Sequence, residues 1–434
     1  MKLSNATCYY FGPFALDAGQ HRLERGGSNV LITRKAFDLL LMLLQRTGET
    51  VSSDELIDAL WPTSEETEDA TLRQHVLMVR RALGDRIKDP RYVATDYGKG
   101  YRFIGAVSAV PSLLTQALVE QLCAAASEFR ESRSPAAMKG ALDLYDRALS
   151  LDPDSATALG GVALCRCLVA DYMYDCPKPL LQAARIAADK ALVIEPGCTD
   201  ALLALTKVRL DYDWNFDSAL ATIQKAVPLA PNNRIALFLN AWILVLMGRF
   251  ADAHSFLGTC THDFPGAELV RVCRGVALLY ERNFADAIAE LSTACARWPH
   301  FWFGHLSLGQ ALFLSGEVQR AIQKFDWIRL SEFDPLIDGQ VNVRFLAEGY
   351  AMYARFRSND ASGAEASLDR LRRLSQRQFI PATCFALAEL GRRQYAKALS
   401  YIRQSGENRE SWYTHLGIEP FVDDVRSDAK RYAV

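Results

Sequence analysis

The sequence predicts two parts of different fold class, an α+β domain over residues 1–107 and an all-α array of helix pairs over residues 113–434. Three observations support this division. Short β-rich runs surround helical patterns in the first part, strand signals disappear after it, and an alanine then recurs at a spacing that is mostly 34 residues. Residues 108–112 are expected to be a short linker.

The domain is expected to start with a small antiparallel sheet, because β-rich runs alternate with turn residues there. The strands are predicted at Tyr10–Leu16, His21–Arg25 and Val30–Ile32. A first helix should follow from about Arg34 to Arg46. A second helix should start at Ser52, because Glu55 three residues later completes a capping box, and it should end at Trp61 before a proline.

A third helix is predicted to begin at Asp69, whose carboxylate suits an N-cap. Its apolar residues fall at helical spacing and form one stripe, made of Leu72, Val76, Val79 and Leu83. The face away from this stripe carries Arg73, Gln74, Leu77, Met78 and Arg81. We therefore expect an amphipathic helix that packs by its stripe and leaves the second face exposed.

Two β-rich runs, Tyr92–Tyr97 and Tyr101–Val107, flank Gly98-Lys99-Gly100, which predicts a hairpin with a lysine at its tip. The formal charge of −2 gives the whole chain no general affinity for nucleic acid. Residues 70–104 nevertheless contain eight basic and three acidic side chains. The alternative explanation for this local basic excess is that acidic and basic faces of the domain are simply exposed to solvent and happen to differ in sign. A polar helix face followed by a basic hairpin suits a helix in the major groove and a wing on the backbone.

Residues 1–107 resemble the OmpR/PhoB-type winged-helix DNA-binding domain. The resemblance rests on residues 33–40 at the start of the first helix, residues 48–52 before the second, and residues 98–103 at the end of the domain. It implies a winged helix-turn-helix that binds double-stranded DNA. The chain departs from the family at Ala36, where a glutamate is usual, and at Leu77 and Met78, where relatives often carry arginines.

The resemblance also implies roles for individual residues. The base edges would be contacted by Arg73, Gln74, Leu77 and Met78. The backbone would be held, or the wing shaped, by Thr71, Arg80, Arg81, Tyr97, Lys99 and Arg102, with Arg34 and Lys35 as further phosphate contacts. Residues 62–68 form an acidic loop, and a loop at this place contacts RNA polymerase in activators of the family. A solvated turn is the alternative for this loop.

The second part shows an internal repeat. Its alanines are Ala141, Ala184, Ala219, Ala253, Ala287, Ala321, Ala364 and Ala398, and two of the intervals are nine residues longer than 34. The pattern resembles the tetratricopeptide repeat, in which a small residue lets two helices approach closely and each pair buries the apolar face of the next. The resemblance implies an all-α solenoid.

First helices of such repeats line the concave face, so a peptide or ligand groove is expected there. Its candidate residues are Phe238, Trp242, Phe313, Tyr353 and Phe356. Packing between neighbouring first helices is the alternative role for these aromatic side chains. The tail, Trp412–Val434, is expected to cap the last repeat.

These features predict a transcription regulator similar to the HilA-like class, whose repeats bind a partner protein or a small effector. The alternative is a protein–protein scaffold whose winged helix no longer binds DNA, which the equal numbers of acids and bases in residues 1–107 favour. No catalytic, phosphate-loop or metal-binding motif is present, so we expect no enzyme activity and no cofactor. Scattered cysteines and the absence of a long apolar run predict a cytoplasmic protein with no membrane segment.

Overall fold

The computed structural model describes residues 7–62, 69–111, 113–132, 135–171, 175–260, 267–330, 341–358 and 360–427. The chain divides into two compact units, one of residues 1–122 with 148–153 and the other of residues 123–147 with 154–434. The first unit contains small sheets, three short helices and parts of the next two helices, and the second is largely helical. The predicted fold class is therefore confirmed.

The strands of the first unit form two antiparallel sheets. In chain order they are β1 Thr7–Phe11, β2 Phe14–Asp17, β3 Arg22–Arg25, β4 Ser28–Asn29, β5 Thr50–Ser52, β6 Val93–Asp96, β7 Gly100–Phe103 and β8 Ser108–Pro111. The five-stranded sheet has the order β4-β3-β2-β1-β8, and the three-stranded sheet has the order β5-β7-β6. The second sheet contains the predicted hairpin, so the wing has a third strand beside it.

The first sheet differs from its prediction in two places. The run Tyr10–Leu16 is not one strand but a hairpin, in which Phe11 lies opposite Phe14 and Gly12 turns with a φ of +53°. A side chain at Gly12 would also meet the hydroxyl of Tyr92, so glycine is required there on both grounds. Val30–Ile32 lies outside the strands.

The predicted linker at residues 108–112 is also different in the structure. Residues 108–111 form β8, which pairs antiparallel with β1 and places Tyr9 opposite Ala109. The linker prediction was wrong because a short run of small and apolar residues fits an edge strand as well as a connection. The pairing adds a strand from the C-terminal end of the domain to the edge of the sheet.

Three helices pack on these sheets: α1 Arg34–Gln45, α2 Ser53–Leu60 and α3 Asp69–Leu83. The Thr33 hydroxyl accepts a hydrogen bond from the Ala36 amide at 3.4 Å, so α1 is capped without the glutamate usual in the family. The Ser52 hydroxyl accepts a hydrogen bond from the Glu55 amide at 3.1 Å, as expected for the start of α2. Both helices end one residue earlier than predicted, α1 at Gln45 and α2 at Leu60.

Helix pairs follow along the rest of the chain. The helices are α4 Leu113–Ser132, α5 Pro135–Leu151, α6 Ala156–Asp171, α7 Pro177–Ile194, α8 Thr199–Lys207, α9 Phe216–Leu229, α10 Arg234–Leu246, α11 Phe250–Thr259, α12 Ala267–Tyr280, α13 Phe284–Arg297, α14 Trp302–Leu314, α15 Val318–Leu330, α16 Val341–Arg357, α17 Ala361–Leu374, α18 Ala382–Gly391, α19 Tyr395–Asn408 and α20 Asp423–Ser427. A π-helical turn, Val208–Tyr212, extends α8. None of the described helices combines the length and the apolar composition that a membrane-spanning segment needs.

The alanine column marks the second helix of each pair. All eight of its members, from Ala141 to Ala398, are fully buried. Glycines on the preceding helices add a second contact that the sequence analysis missed. A Cβ at Gly275 would lie 2.5 Å from Leu291, and one at Gly309 would lie 2.5 Å from Phe325. Gly275 and Gly309 are 34 positions apart, and so are Leu291 and Phe325. The close contact between glycine and large side chain therefore recurs with the repeat.

The first extension, predicted at residues 171–180, runs from the last residue of α6 into the first turn of α7, with residues 172–174 outside the described ranges. The second, around residues 335–343, lies mostly outside those ranges as well.

The tail does more than cap the last helix pair. It forms two 3-10 turns, Ser411–His415 and Pro420–Val422, before α20. The Trp412 indole donates to the Tyr350 hydroxyl on α16 at 3.1 Å. Glu419 accepts hydrogen bonds from the same hydroxyl and from Tyr280 on α12, both at 3.4 Å. The tail therefore packs against helices far earlier in the array.

Candidate nucleic-acid interface

The exposed face of α3 is the centre of the candidate interface. The predicted stripe is confirmed, because Leu72, Val76, Val79 and Leu83 are all buried in the core of the first unit. The side chains of Arg73, Gln74, Leu77 and Arg81 are exposed. At 100° per residue these four positions fall within one 100° arc, so they share a face. Thr71 is half-buried at the edge of this face.

This face carries both ionic and apolar groups. Arg73 pairs with Asp69 one turn earlier at 3.0 Å, and both side chains remain well exposed. Leu77 is 40% exposed, although leucine normally faces a core. An exposed leucine between two arginines and a glutamine offers apolar contact beside hydrogen-bond donors.

Met78 does not share the exposed face. Its side chain is half-buried against the core of the first unit, and the Thr33 hydroxyl lies 3.7 Å from its sulfur. The helical position of Met78 suggested an exposed side chain. Its long, flexible thioether instead bends toward the junction with the start of α1. The assignment of Met78 to base edges is therefore corrected.

Of the two roles expected for Arg80, holding the DNA backbone or shaping the wing, its buried guanidinium suits only the second. Its Nη2 atom donates to the carbonyl of Val93 and to the hydroxyl of Thr95, both at 2.9 Å. Both acceptors lie on β6, so Arg80 ties α3 to the wing. It shapes the wing but is not available to a phosphate.

The wing places its lysine as predicted. Gly98 and Gly100 have positive φ, and the Lys99 amide donates to the Asp96 carbonyl at 2.9 Å to close the turn. A Cβ at Gly100 would lie 2.0 Å from the Val51 carbonyl oxygen, so glycine is needed for β7 to approach β5. Lys99 is exposed, and Tyr97 is 89% exposed.

Arg102 braces the wing. Its Nε and Nη2 atoms donate to the two carboxylate oxygens of Asp96 at 3.1 and 3.2 Å. Thr50 on β5 donates to the same carboxylate. These two hydrogen-bond donors, Thr50 first, lower the pKa of Asp96 and keep it ionised. Arg102 is half-buried, and in this arrangement it links β6 and β7.

The two cations at the start of α1 differ from each other. Arg34 is exposed, as a phosphate contact requires. Lys35 is half-buried, donates to the Leu60 carbonyl at the end of α2, and lies 5.7 Å from the centroid of the Trp61 ring. Lys35 therefore caps α2, and its assignment to phosphate is corrected. The predicted polymerase loop, residues 62–68, lies outside the described ranges except for Pro62.

Asp85 is a structural residue that sequence reasoning missed. Its carboxylate accepts hydrogen bonds from the backbone amides of four residues, at distances between 2.7 and 3.3 Å. The donors are Arg86, Arg91, Tyr92 and Val93. It therefore organises the connection from α3 to β6. An aspartate directly after a helix-ending glycine was the available signal.

The predicted groove aromatics separate into two sets in the second unit. Phe238 and Trp242 stack at 5.5 Å and line a cavity. Phe313 and Tyr353 instead pack against Phe421 of the tail, at 5.5 and 4.9 Å. Because the tail covers them, their assignment to an open groove is corrected.

Phe356 is the remaining groove candidate. It packs against the core formed around α16, α17 and α18, and Arg392 lies 5.6 Å from its ring centroid. It contributes to packing between helices rather than to an open surface.

Comparison with known families gives this geometry its context. Residues 27–103 match the family described as "Transcriptional regulatory protein, C terminal", and residues 274–335 match a tetratricopeptide repeat family. The chain joins a transcriptional-regulator DNA-binding domain to tetratricopeptide repeats. Both resemblances inferred from the sequence are confirmed, and both matching families are regulatory or repeat domains.

Curated relatives match the first domain. The DNA-binding dual master transcriptional regulator RpaA of Synechocystis is 32% identical over 90 residues, which are 21% of this chain and 37% of the relative. The transcriptional regulator HilA of Salmonella typhimurium is 38% identical over 81 residues, which are 19% of this chain and 14% of the relative. The chain thus matches less than half the length of either relative.

A solved structure also aligns with this domain. It is the Klebsiella pneumoniae RstA DNA-binding domain in complex with the RstA box, at 26% identity over 22% of this chain and 96% of that chain, with a TM-score of 0.21.

Proposed function

We propose that this protein is a sequence-specific DNA-binding transcription regulator whose repeat array receives a partner protein or a small effector. The observation that carries the proposal is the exposed face of α3, formed by Arg73, Gln74, Leu77 and Arg81. The face combines donors and one apolar group in an arc narrow enough to enter a major groove. The family matches support DNA binding by this domain.

Each exposed residue receives a role from its chemistry. Gln74 can pair with the N6 and N7 atoms of adenine, and Leu77 offers apolar contact to a thymine methyl group. Arg73 suits guanine or a phosphate, and Arg81 suits a phosphate. Lys99 and Tyr97 extend from the wing toward the backbone or a minor groove. Because Leu77 stands where relatives often carry arginine, we predict half-sites rich in A·T.

The proposal assigns some residues to sequence-specific DNA binding and others to binding of any DNA. Gel retardation by the full chain tests this assignment. Gln74→Ala should cost roughly 1–3 kcal/mol at the preferred site and much less on random DNA. Lys99→Ala should weaken binding to all sequences alike and reduce the salt slope by about one. Lys139→Ala is the control, because it removes an exposed lysine of the repeat array and should change neither quantity.

The alternative is a scaffold whose winged helix no longer binds DNA. The specific observation in its favour is charge balance, with fourteen basic and fourteen acidic residues in residues 1–107. A scaffold would retard no genomic fragment even at low salt, where phosphate contacts are strongest. Equal losses on preferred and random DNA for Gln74→Ala would leave DNA binding in place but reject this base contact.

Contact between residues 62–68 and RNA polymerase remains part of the proposal. It rests on the resemblance and on the acidic composition of the loop. Replacing Glu65 and Glu66 by glutamine should lower transcription from a target promoter and leave DNA retardation unchanged. Loss of DNA binding in the same variant would contradict a polymerase role.

A further inference from the structure

A cavity of about 210 Å³ lies within the repeat array. Its walls come from α6, α8, α10, α12, α14 and α16, and from the first turn of the tail. Aromatic side chains dominate these walls, among them Phe238, Trp242, Tyr280, Phe303 and Trp412. An apolar cavity of about 150 Å³ admits benzene, so this one has room for a single ring with a short substituent.

Three charged residues also line the cavity, and their charges do not cancel. Lys207 is nearly buried, with its ammonium 2.6 Å from Asp171 and 2.8 Å from Asp211. Burial alone would lower the pKa of Lys207, but the two carboxylates outweigh it and raise the pKa, so the lysine stays charged. Two carboxylates and one ammonium give these residues a formal charge of −1.

The histidine in the wall adds no positive charge. His415 lies with its ring 5.0 Å from Trp242, and burial lowers its pKa to about 3. It is therefore neutral at physiological pH. The charged and titratable side chains in the wall thus leave a negative potential inside an aromatic enclosure.

One buried hydroxyl in the wall has unused hydrogen-bonding capacity. The Ser307 side chain is 1% exposed, and its hydroxyl has no hydrogen-bond partner among the described residues. The Asp211 Oδ2 atom, in contrast, is already paired with the Lys207 ammonium at 2.8 Å. Buried polar atoms are normally satisfied, so the Ser307 hydroxyl indicates a site that is completed by a ligand.

We propose that this cavity binds a small organic monocation with one aromatic ring. The ring would pack among Phe238, Trp242 and Phe303, and the cationic group would face the excess carboxylate charge and the Ser307 hydroxyl. A neutral analogue of the same shape gains nothing from the carboxylates, and an anion is opposed by them. The inference names the class of effector and therefore rests on the proposed function.

A matched series of probes tests the charge preference directly. The full chain is titrated with 2-phenylethylamine, 2-phenylethanol and phenylacetate, which share a ring and differ in charge. Quenching of tryptophan fluorescence reports occupancy, because Trp242, Trp302 and Trp412 line the cavity. We expect the amine to bind at least about tenfold more tightly than the alcohol, and phenylacetate to bind most weakly. Equal affinities, or a preference for phenylacetate, would overturn the proposal.

Two variants locate the charge effect. Asp171→Asn removes the excess negative charge while Lys207 keeps Asp211, and it should reduce the affinity of the amine about tenfold with no effect on the alcohol. The matched control is Asp213→Asn. Asp213 pairs with Arg185 at 2.6 Å and does not line the cavity, and its side-chain exposure of 34% is close to the 29% of Asp171. An equal loss in both variants would assign the effect to surface charge and overturn the site.

Two measurements distinguish an error in the proposed ligand site from an error in the proposed function. Amine binding is measured without DNA, and retardation of DNA is then measured with and without the amine. Amine binding by a chain that retards no DNA would overturn the proposed function and leave the site in place. DNA retardation without amine binding would overturn the site alone. If Asp171→Asn does not fold, the probe series on the unmodified chain still decides the charge preference.

Discussion

The carboxyl group of Glu419 should make the stability of the repeat array depend on pH. Glu419 is fully buried in the tail, where burial raises its pKa from 4.5 to about 7 against the opposing effects of nearby hydrogen-bond donors and Arg282. The folded chain therefore holds this proton to a higher pH than the unfolded chain does. The associated stability is complete below about pH 4.5 and is lost as the pH rises through about 7.

The size of the effect follows from the same numbers. At about 1.36 kcal/mol per pKa unit, the difference between 4.5 and about 7 corresponds to on the order of 3 kcal/mol. Tyr280, Tyr350 and Arg282 around the carboxyl do not titrate in this range, but nearby His415 does when the chain unfolds, because burial lowers its pKa from 6.5 to about 3 in the folded chain. Burial raises the pKa of Tyr280 and Tyr350 well above 10, and Arg282 stays charged although burial lowers its pKa. The effect of His415 is common to the unmodified chain and to a variant of Glu419, so a comparison of the two isolates Glu419.

Glu419→Gln removes the titration and isolates the effect. Urea unfolding of the variant and of the unmodified chain is compared at several values from about pH 5 to about pH 8. The difference in unfolding free energy should shift in favour of the variant by on the order of 3 kcal/mol across this range. Glu407→Gln, at an exposed position of α19, should show no such shift. A difference that stays constant with pH for Glu419→Gln would refute the reasoning.

Three further predictions concern packing and the wing. Gly309→Ala should destabilise the array by about 1–3 kcal/mol relative to Gly258→Ala in urea unfolding, because only the first meets a neighbour while both gain helix propensity. Equal effects would mean that α14 and α15 are less close than described. Arg80→Met should cost about 1–3 kcal/mol in thermal unfolding, because the Val93 carbonyl loses a buried donor, and it should weaken DNA retardation through the wing. Normal stability would place Arg80 outside the core. Leu77→Arg should shift fragments selected by the full chain toward G·C, and an unchanged consensus would remove Leu77 from the base contacts.

Periodicity explains the parts of the fold that the sequence predicted well. The stripe on α3 and the alanine column are local patterns, and each recurs at the spacing of one helix face or one repeat. Such patterns fix which side of a helix is buried without knowledge of its partner. The positions of Gln74 and Lys99 followed from this reasoning, because one lies opposite a stripe and the other lies between two turn glycines.

Side chains whose partners are distant in sequence were predicted less well. Arg80 lies beside the apolar stripe, and only the pairing with β6 shows that its guanidinium is buried. Lys35 likewise turns to the end of α2 because an open carbonyl lies there. A charged residue at an exposed-looking helical position is therefore a contact candidate only until the neighbouring element is known.

The course of the tail determines which groove residues remain available. In a repeat array, each helix pair covers the apolar side of the next, but nothing in the repeat specifies what covers the inner surface. Here Phe421 of the tail covers Phe313 and Tyr353, whereas Trp412 closes one side of the cavity that contains Trp242. These contacts join positions up to 139 apart in sequence, as for Tyr280 and Glu419, so no local pattern contains them. The same segment thus removes one predicted surface and completes another, and a ligand in the cavity would touch the tail directly.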